Sequence, residues 1–234
     1  MLDDLKRQVH HANLEIVRLG LVLLTWGNAS AIDRDKGLVV IKPSGVDYAT
    51  MTPDDMVVVD LDGNPVDSKL RPSSDTPAHV ELYRAFPTVG AIVHTHSHYA
   101  TCWAQACRGI PCFGTTHADH FHGEIPVTDD LTRADIAIDY ERNTGRSIAR
   151  KFEGRDPLAC PAVLVANHAP FAWGENLTKA VENAYVLEEV ARMALHTLQV
   201  EPMLPKLNQA LLDKHFLRKH GPGAYYGQRN SATE

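Results

Sequence analysis

The chain is poor in cysteine, carries no block of basic residues and contains no apolar run of membrane-spanning length. Its four cysteines, Cys102, Cys107, Cys112 and Cys160, include no C-x-x-C pair. That disfavours both a disulfide framework and a thiolate metal cluster, so reduced, mostly buried thiols are expected. The N-terminal segment Met1-Leu2-Asp3-Asp4-Leu5-Lys6-Arg7 has acids where a secretory leader needs an apolar stretch, and a cytoplasmic location is expected. Lys and Arg total 23 against 29 Asp and Glu, giving a net charge of −6. Without aromatic-basic interleaving, this balance argues against nucleic acid or a membrane surface as partner. A small anion stays within reach, because a few local donors suffice to hold a phosphate.

What is present is an apolar fraction of 44% over 234 residues, enough for one sizeable core, and a single domain spanning 1–234 is expected. Leu2, Leu5, Val9, Ala12, Ile16 and Leu19 recur at helical spacing and Gly20 stops that helix. Ser30–Asp33 and Leu38–Ile41 predict a hairpin turning at Gly37; Met56–Asp60 predicts a strand closed by Asp62-Gly63-Asn64-Pro65. Thr76-Pro77 predicts a cap and first turn of a helix running to about Phe86. Further helices are expected at Tyr99–Cys107, at Gly145–Phe152, after Asn176, and at Lys206–Lys219 before Gly221-Pro222-Gly223. Hairpins mixed with flanking helices imply an α/β fold, three layers αβα around a mostly antiparallel sheet.

The richest segment is Ile92-Val93-His94-Thr95-His96-Ser97-His98. On a strand His94 and His96 share a face, about 6.5 Å apart, within reach of one metal ion. His168 follows a second apolar run, Ala162-Val163-Leu164-Val165-Ala166. Three neutral imidazoles suit a zinc that keeps an open coordination position. Around them lie Trp26-Gly27-Asn28, Lys42-Pro43-Ser44-Gly45 and Arg71-Pro72-Ser73-Ser74, which offer amides, hydroxyls and a cation. The last precedes a helix N-terminus, where free amides favour an anion. Asp75 can be a fourth ligand, a proton carrier or a first-turn acid. Thr115-Thr116-His117-Ala118-Asp119-His120 reads as a polar loop, and Asp213-Lys214-His215 with Ala224-Tyr225-Tyr226-Gly227 puts an imidazole and two phenols near the C-terminus.

These segments, with Gly114-Thr115-Thr116-His117-Ala118-Asp119 and Pro170-Phe171-Ala172-Trp173-Gly174, resemble the L-ribulose-5-phosphate 4-epimerases of the class II aldolase family, nearly from end to end. The resemblance implies zinc held by His94, His96 and His168 with Asp75 at the metal. It implies substrate contacts from Gly27, Asn28, Ser44, Gly45, Ser73 and Ser74, with Lys42 in the same turn. Asp119 and Tyr226 would be the two acid–base residues, with His215 supporting one, in a homotetramer whose site lies at a subunit interface. Related aldolases usually carry glutamate where this chain has Asp75, which favours epimerisation over aldol cleavage as the net reaction. One departure is Ala169, where the family usually has glycine; alanine is costly there if the residue needs positive φ. His98, His120 and His122 have no role in the resemblance.

Overall fold

The computed structural model describes residues 2–66 and 68–226. Met1 and Gly227, which belong to two of the quoted segments, lie outside them. The order is α1 (Asp3–Arg18), β1 (Gly27–Asp33), β2 (Leu38–Ile41), β3 (Val57–Asp60), α2 (Thr76–Ala85), β4 (Ala91–Thr95), α3 (His98–Gln105) and α4 (Thr115–Ala118). Then follow α5 (Arg133–Lys151), β5 (Ala162–Leu164), β6 (Pro170–Gly174), α6 (Leu177–Val200) and α7 (Gln209–His220). The six strands form one sheet in the order β3-β2-β1-β4-β6-β5, and every neighbouring pair is antiparallel.

Alternation along the strands divides the core into two layers, as a two-sided sheet requires. Ala29, Ala31, Val40, Val58, Val93, Leu164 and Ala172 point to one face, where Val9, Ile16, Trp103, Ala184 and Leu187 of α1, α3 and α6 cover them. Val39, Ile41, Val57, Val59, Ile92, Val163, Phe171 and Trp173 point to the other, covered by Ala78, Leu82 and Tyr83 of α2 and by Ile148 of α5. The expected αβα arrangement is therefore present. No helix among the described residues is long and apolar enough to cross a membrane.

Local signals account for the ends of several elements. Gly20 takes φ 73° after α1, and the Asn176 side chain accepts from the Lys179 amide at 3.0 Å to cap α6. Others depart from expectation. The helix predicted at Gly145–Phe152 starts instead at Arg133, capped by Thr132 and Asp135, and is interrupted at Asp139 (φ −159°, ψ 76°). Its first half shows Ile136 and Ile138 to solvent, so no apolar stripe announces it. The N-cap of α2 is Asp75 rather than Thr76, whose hydroxyl donates to the Ser73 carbonyl at 2.6 Å. Cys102 and Cys107 are exposed rather than buried, because the outer side of α3 and the turn after it carry them.

Helices α2 and α5 meet at Gly145, where a Cβ would lie 2.8 Å from the Ala78 carbonyl oxygen and 2.8 Å from the Glu81 Cβ. Gly145→Ala is expected to destabilise the fold by about 1–3 kcal/mol through overpacking. Thermal unfolding measures it, and an unchanged melting temperature would contradict so close a helix contact.

Candidate active site

His94 lies near the end of β4, opposite Asn28 of β1 and Phe171 of β6. It is buried and stacks on the Phe171 ring at 4.2 Å between centroids. The strand ends at Thr95, so His96 stands one residue beyond it rather than on it. His168 arrives from the turn between β5 and β6, closed by the His168 amide donating to Val165 (3.0 Å) and the Val165 amide to Ala169 (3.0 Å). One ligand nitrogen from each of His94, His96 and His168 falls within 4.8 Å of the others.

That turn explains how Ala169 is tolerated. The residue in the left-handed region is Asn167 (φ 59°), and Ala169 has no positive φ. Asparagine tolerates this conformation better than most side chains. Here Asn167 is also tied down, its amide donating to Ala104 at 2.9 Å and its side chain to Asp130 at 2.7 Å.

The ring nitrogens have defined partners. His94 Nδ1–H donates to the Pro170 carbonyl at 2.9 Å, so in the neutral ring the lone pair lies on Nε2. His168 Nδ1 pairs with the Tyr140 hydroxyl at 3.3 Å. Burial, reinforced by His94 and His96, lowers the His168 pKa to about 4; burial followed by His94 lowers that of His96. The side chain of Asp75 accepts from Asn28 at 2.6 Å and stands 4.0 Å from His94 Nε2. Burial opposes its ionisation, but His94, His79 and the Asn28 amide outweigh this and hold the carboxyl below its ordinary pKa.

The three polar loops converge beside this group. The Ser44 amide donates to Arg71 (3.0 Å) and the Ser73 amide to Lys42 (2.9 Å), while Asn28 donates to the Ser73 hydroxyl at 3.1 Å. Tyr48 ties in the first loop by donating to the Gly27 carbonyl at 2.6 Å. Gly27 must be glycine: its φ is 132° and a Cβ would approach the His94 carbonyl oxygen to 3.2 Å. Ser44, Gly45 and Ser74 face solvent, with buried Lys42 behind them over the Tyr48 ring. Burial lowers the Lys42 pKa, partly offset by Asp47.

A second cluster forms where α4 meets α7. Asp119 accepts from His215 Nδ1 (3.0 Å) and from Arg218 through two nitrogens (3.1 and 2.7 Å), with Lys219 Nζ at 3.7 Å. Burial raises its pKa, yet the Arg218 and His215 bonds outweigh that and keep it a carboxylate. The exposed Tyr226 ring lies under the cations of Arg218 and Lys219, 4.9 and 4.6 Å from its centroid. Asp119 thus holds His215 directly and shares Arg218 and Lys219 with Tyr226; no hydrogen bond, ion pair or ring contact joins these residues to the histidine triad among the described residues. Of the remaining histidines, His122 pairs with Asp213 at 2.7 Å, His98 packs edge-on to Tyr99, and His120 lines a cleft with Lys219 and Tyr226.

Residues 7–195 match the family model for the class II aldolase and adducin N-terminal domain. The chain belongs to that family. L-fuculose 1-phosphate aldolase shares its fold with a TM-score of 0.79 at 27% identity, covering 91% of this chain and 94% of that one. YgbL from Escherichia coli, a candidate aldolase/epimerase/decarboxylase, matches at 24% identity and TM-score 0.73 over 91% of this chain and 97% of its own. The L-fuculose 1-phosphate aldolase from Glaciozyma antarctica PI12 matches at 18% and 0.76, over 92% and 80%. The latter two bear on the fold alone.

Class II aldolases typically depend on a divalent metal, and the histidine triad of this chain could hold one. Three imidazoles, two of them with pKa values lowered by burial, gather their nitrogens in one place, with a carboxylate nearby. Sequence reasoning missed two residues of this neighbourhood. Tyr140 sits just past the first half of α5, whose apolar residues Ile136 and Ile138 face solvent, and Arg218 looks like an ordinary cation of a helix's last turn until Asp119 is seen beside it.

Proposed function

We propose that this chain is a zinc-dependent 4-epimerase that interconverts L-ribulose 5-phosphate and D-xylulose 5-phosphate by cleaving and remaking the C3–C4 bond. The observation that carries this reading is the coexistence of a histidine triad with a separate acid–base cluster, Asp119–His215–Tyr226. C4 bears no acidic proton, so removing and returning one there cannot invert it; a retro-aldol and re-addition can. His94, His96 and His168, with Asp75, would hold the metal, whose Lewis acidity draws off the negative charge that cleavage leaves on the three-carbon portion. Lys42, Ser44, Gly45, Ser73 and Ser74 would hold the phosphate, and Gly27 and Asn28 the substrate beside the triad. Holding that phosphate lets the aldehyde turn over without leaving, after which its other face is attacked.

The C4 oxygen gains and loses its proton on opposite sides in the two directions, which calls for two proton carriers. A carboxylate and a phenol that share Arg218 and Lys219 as neighbours, Asp119 and Tyr226, would meet that need. Because no contact among the described residues joins them to the triad of their own chain, they would serve the triad of a neighbouring subunit in a homotetramer.

The test is to incubate zinc-loaded protein with L-ribulose 5-phosphate and, separately, with L-xylulose 5-phosphate, and to follow products by NMR. Appearance of D-xylulose 5-phosphate from the first supports the proposal; epimerisation of the second alone moves the preference to L-xylulose 5-phosphate. A second reading, a sugar-phosphate aldolase, draws on the 27% identity to L-fuculose 1-phosphate aldolase. Accumulation of free dihydroxyacetone and glycolaldehyde phosphate without epimer would establish it instead.

A further inference from the structure

We propose that Tyr140 is a positioning residue that fixes His168 as the Nδ1–H tautomer, so that Nε2 keeps its lone pair for the metal. The proposal rests on the metal-site part of the function above and on none of its substrate chemistry. Neutral imidazole carries one N–H and one lone pair, and only the lone pair can ligate. Whatever faces the non-ligating nitrogen therefore decides whether the other is ready. At His94 a peptide carbonyl, which can only accept, faces Nδ1 and settles the matter. His168 has no such carbonyl: its Nδ1 faces the Tyr140 hydroxyl at 3.3 Å.

A hydroxyl can donate or accept, so the direction of this bond matters. If Tyr140 donated, His168 would carry its proton on Nε2 and its ligand atom would be blocked. If Tyr140 accepts, Nε2 is free and the phenol proton turns away from the imidazole. The second arrangement leaves the phenol O–H free to donate away from the imidazole, and Tyr140 is only half-buried. Metal-binding histidines commonly have their second nitrogen held by such an acceptor, and losing it weakens metal binding.

The chain makes local exceptions to place this hydroxyl. Helix α5 breaks its regular backbone at Asp139, immediately before Tyr140. Arg142 spans the break, donating to Asp139 at 2.9 Å and to Glu81 of α2 at 2.9 Å. Three residues on, Gly145 allows α5 to press against α2, the helix whose N-cap is Asp75. The break thus gives Tyr140 an orientation independent of the exposed first half of the helix.

Two measurements on metal-free protein test this, with zinc affinity by chelator competition as a third. Long-range ¹⁵N–¹H spectra report the tautomer of His168: the wild type is expected to show Nδ1–H, and Nε2–H there would overturn the proposal without any variant. Tyr140→Phe keeps the ring and removes the acceptor. It should show a mixed His168 tautomer and bind zinc about 10- to 100-fold more weakly, with its melting temperature unchanged. Wild-type zinc affinity and tautomer in Tyr140→Phe would sink the inference. His168→Ala separates the two levels: if it loses zinc while Tyr140→Phe does not, only the positioning role fails. If His168→Ala binds zinc as the wild type does, the metal site itself is misassigned.

Discussion

His96→Ala is expected to lose zinc on dialysis and to lower turnover by about three orders of magnitude, with the fold intact. His96 is the most informative of the triad to remove, because it is partly exposed and stands just past β4. Its ring touches the other two imidazoles and the edge of Trp26, and no part of the hydrophobic core depends on it. His94→Ala is less clean: it would leave a hole against Phe171 and strand the Pro170 carbonyl that Nδ1–H now satisfies. Zinc content by atomic absorption, far-UV circular dichroism and the pentulose assay together check the prediction. Stoichiometric zinc in a well-folded His96→Ala protein would remove the centre proposed here.

The degree to which sequence revealed this site follows from how each residue is held. The histidines proposed as metal ligands were legible because backbone periodicity places them: an apolar strand delivers His94, and a second delivers the turn that carries His168. The loops at Gly27, Ser44 and Ser73 were legible because glycine and serine in such turns carry a conformational or hydrogen-bonding meaning. That the three loops touch one another was not, since the bonds joining them link residues up to 45 positions apart. Ala169 looked like a strained position, yet the strain resides at Asn167, two residues earlier. Tyr140 was illegible for a related reason: it depends on an irregular helix whose first half buries almost nothing and so leaves no hydrophobic period. Arg218 was hidden because last-turn cations are ordinary, and only the tertiary contact between α4 and α7 turns this one into a two-pronged clamp on Asp119.

Tyr226→Phe is expected to slow epimerisation by about 10²- to 10⁴-fold, the usual scale for losing a proton carrier, while zinc stays bound. The phenol oxygen is the only atom removed, and the ring's contacts with Arg218 and Lys219 do not require it. Asp119→Asn should impair turnover by a similar route with a larger structural penalty, because it takes the charge away from a site built to pair with Arg218, His215 and Lys219. If these two residues serve a neighbouring subunit's metal, the defects must complement. A chain with His96→Ala keeps a working acid–base cluster, and one with Tyr226→Phe keeps a working triad. Mixed tetramers of the two, formed by co-expression, should then recover a measurable fraction of wild-type turnover although each parent is nearly inactive. Were both clusters to act within one chain, every mixed subunit would still lack one half and no activity would return. Recovery would therefore establish that the distance between the two clusters in a single chain is bridged by assembly. Its absence, in mixtures shown to contain both chains, would require the proton carriers to be sought nearer the triad, where the Tyr140 hydroxyl meets His168 Nδ1 at 3.3 Å.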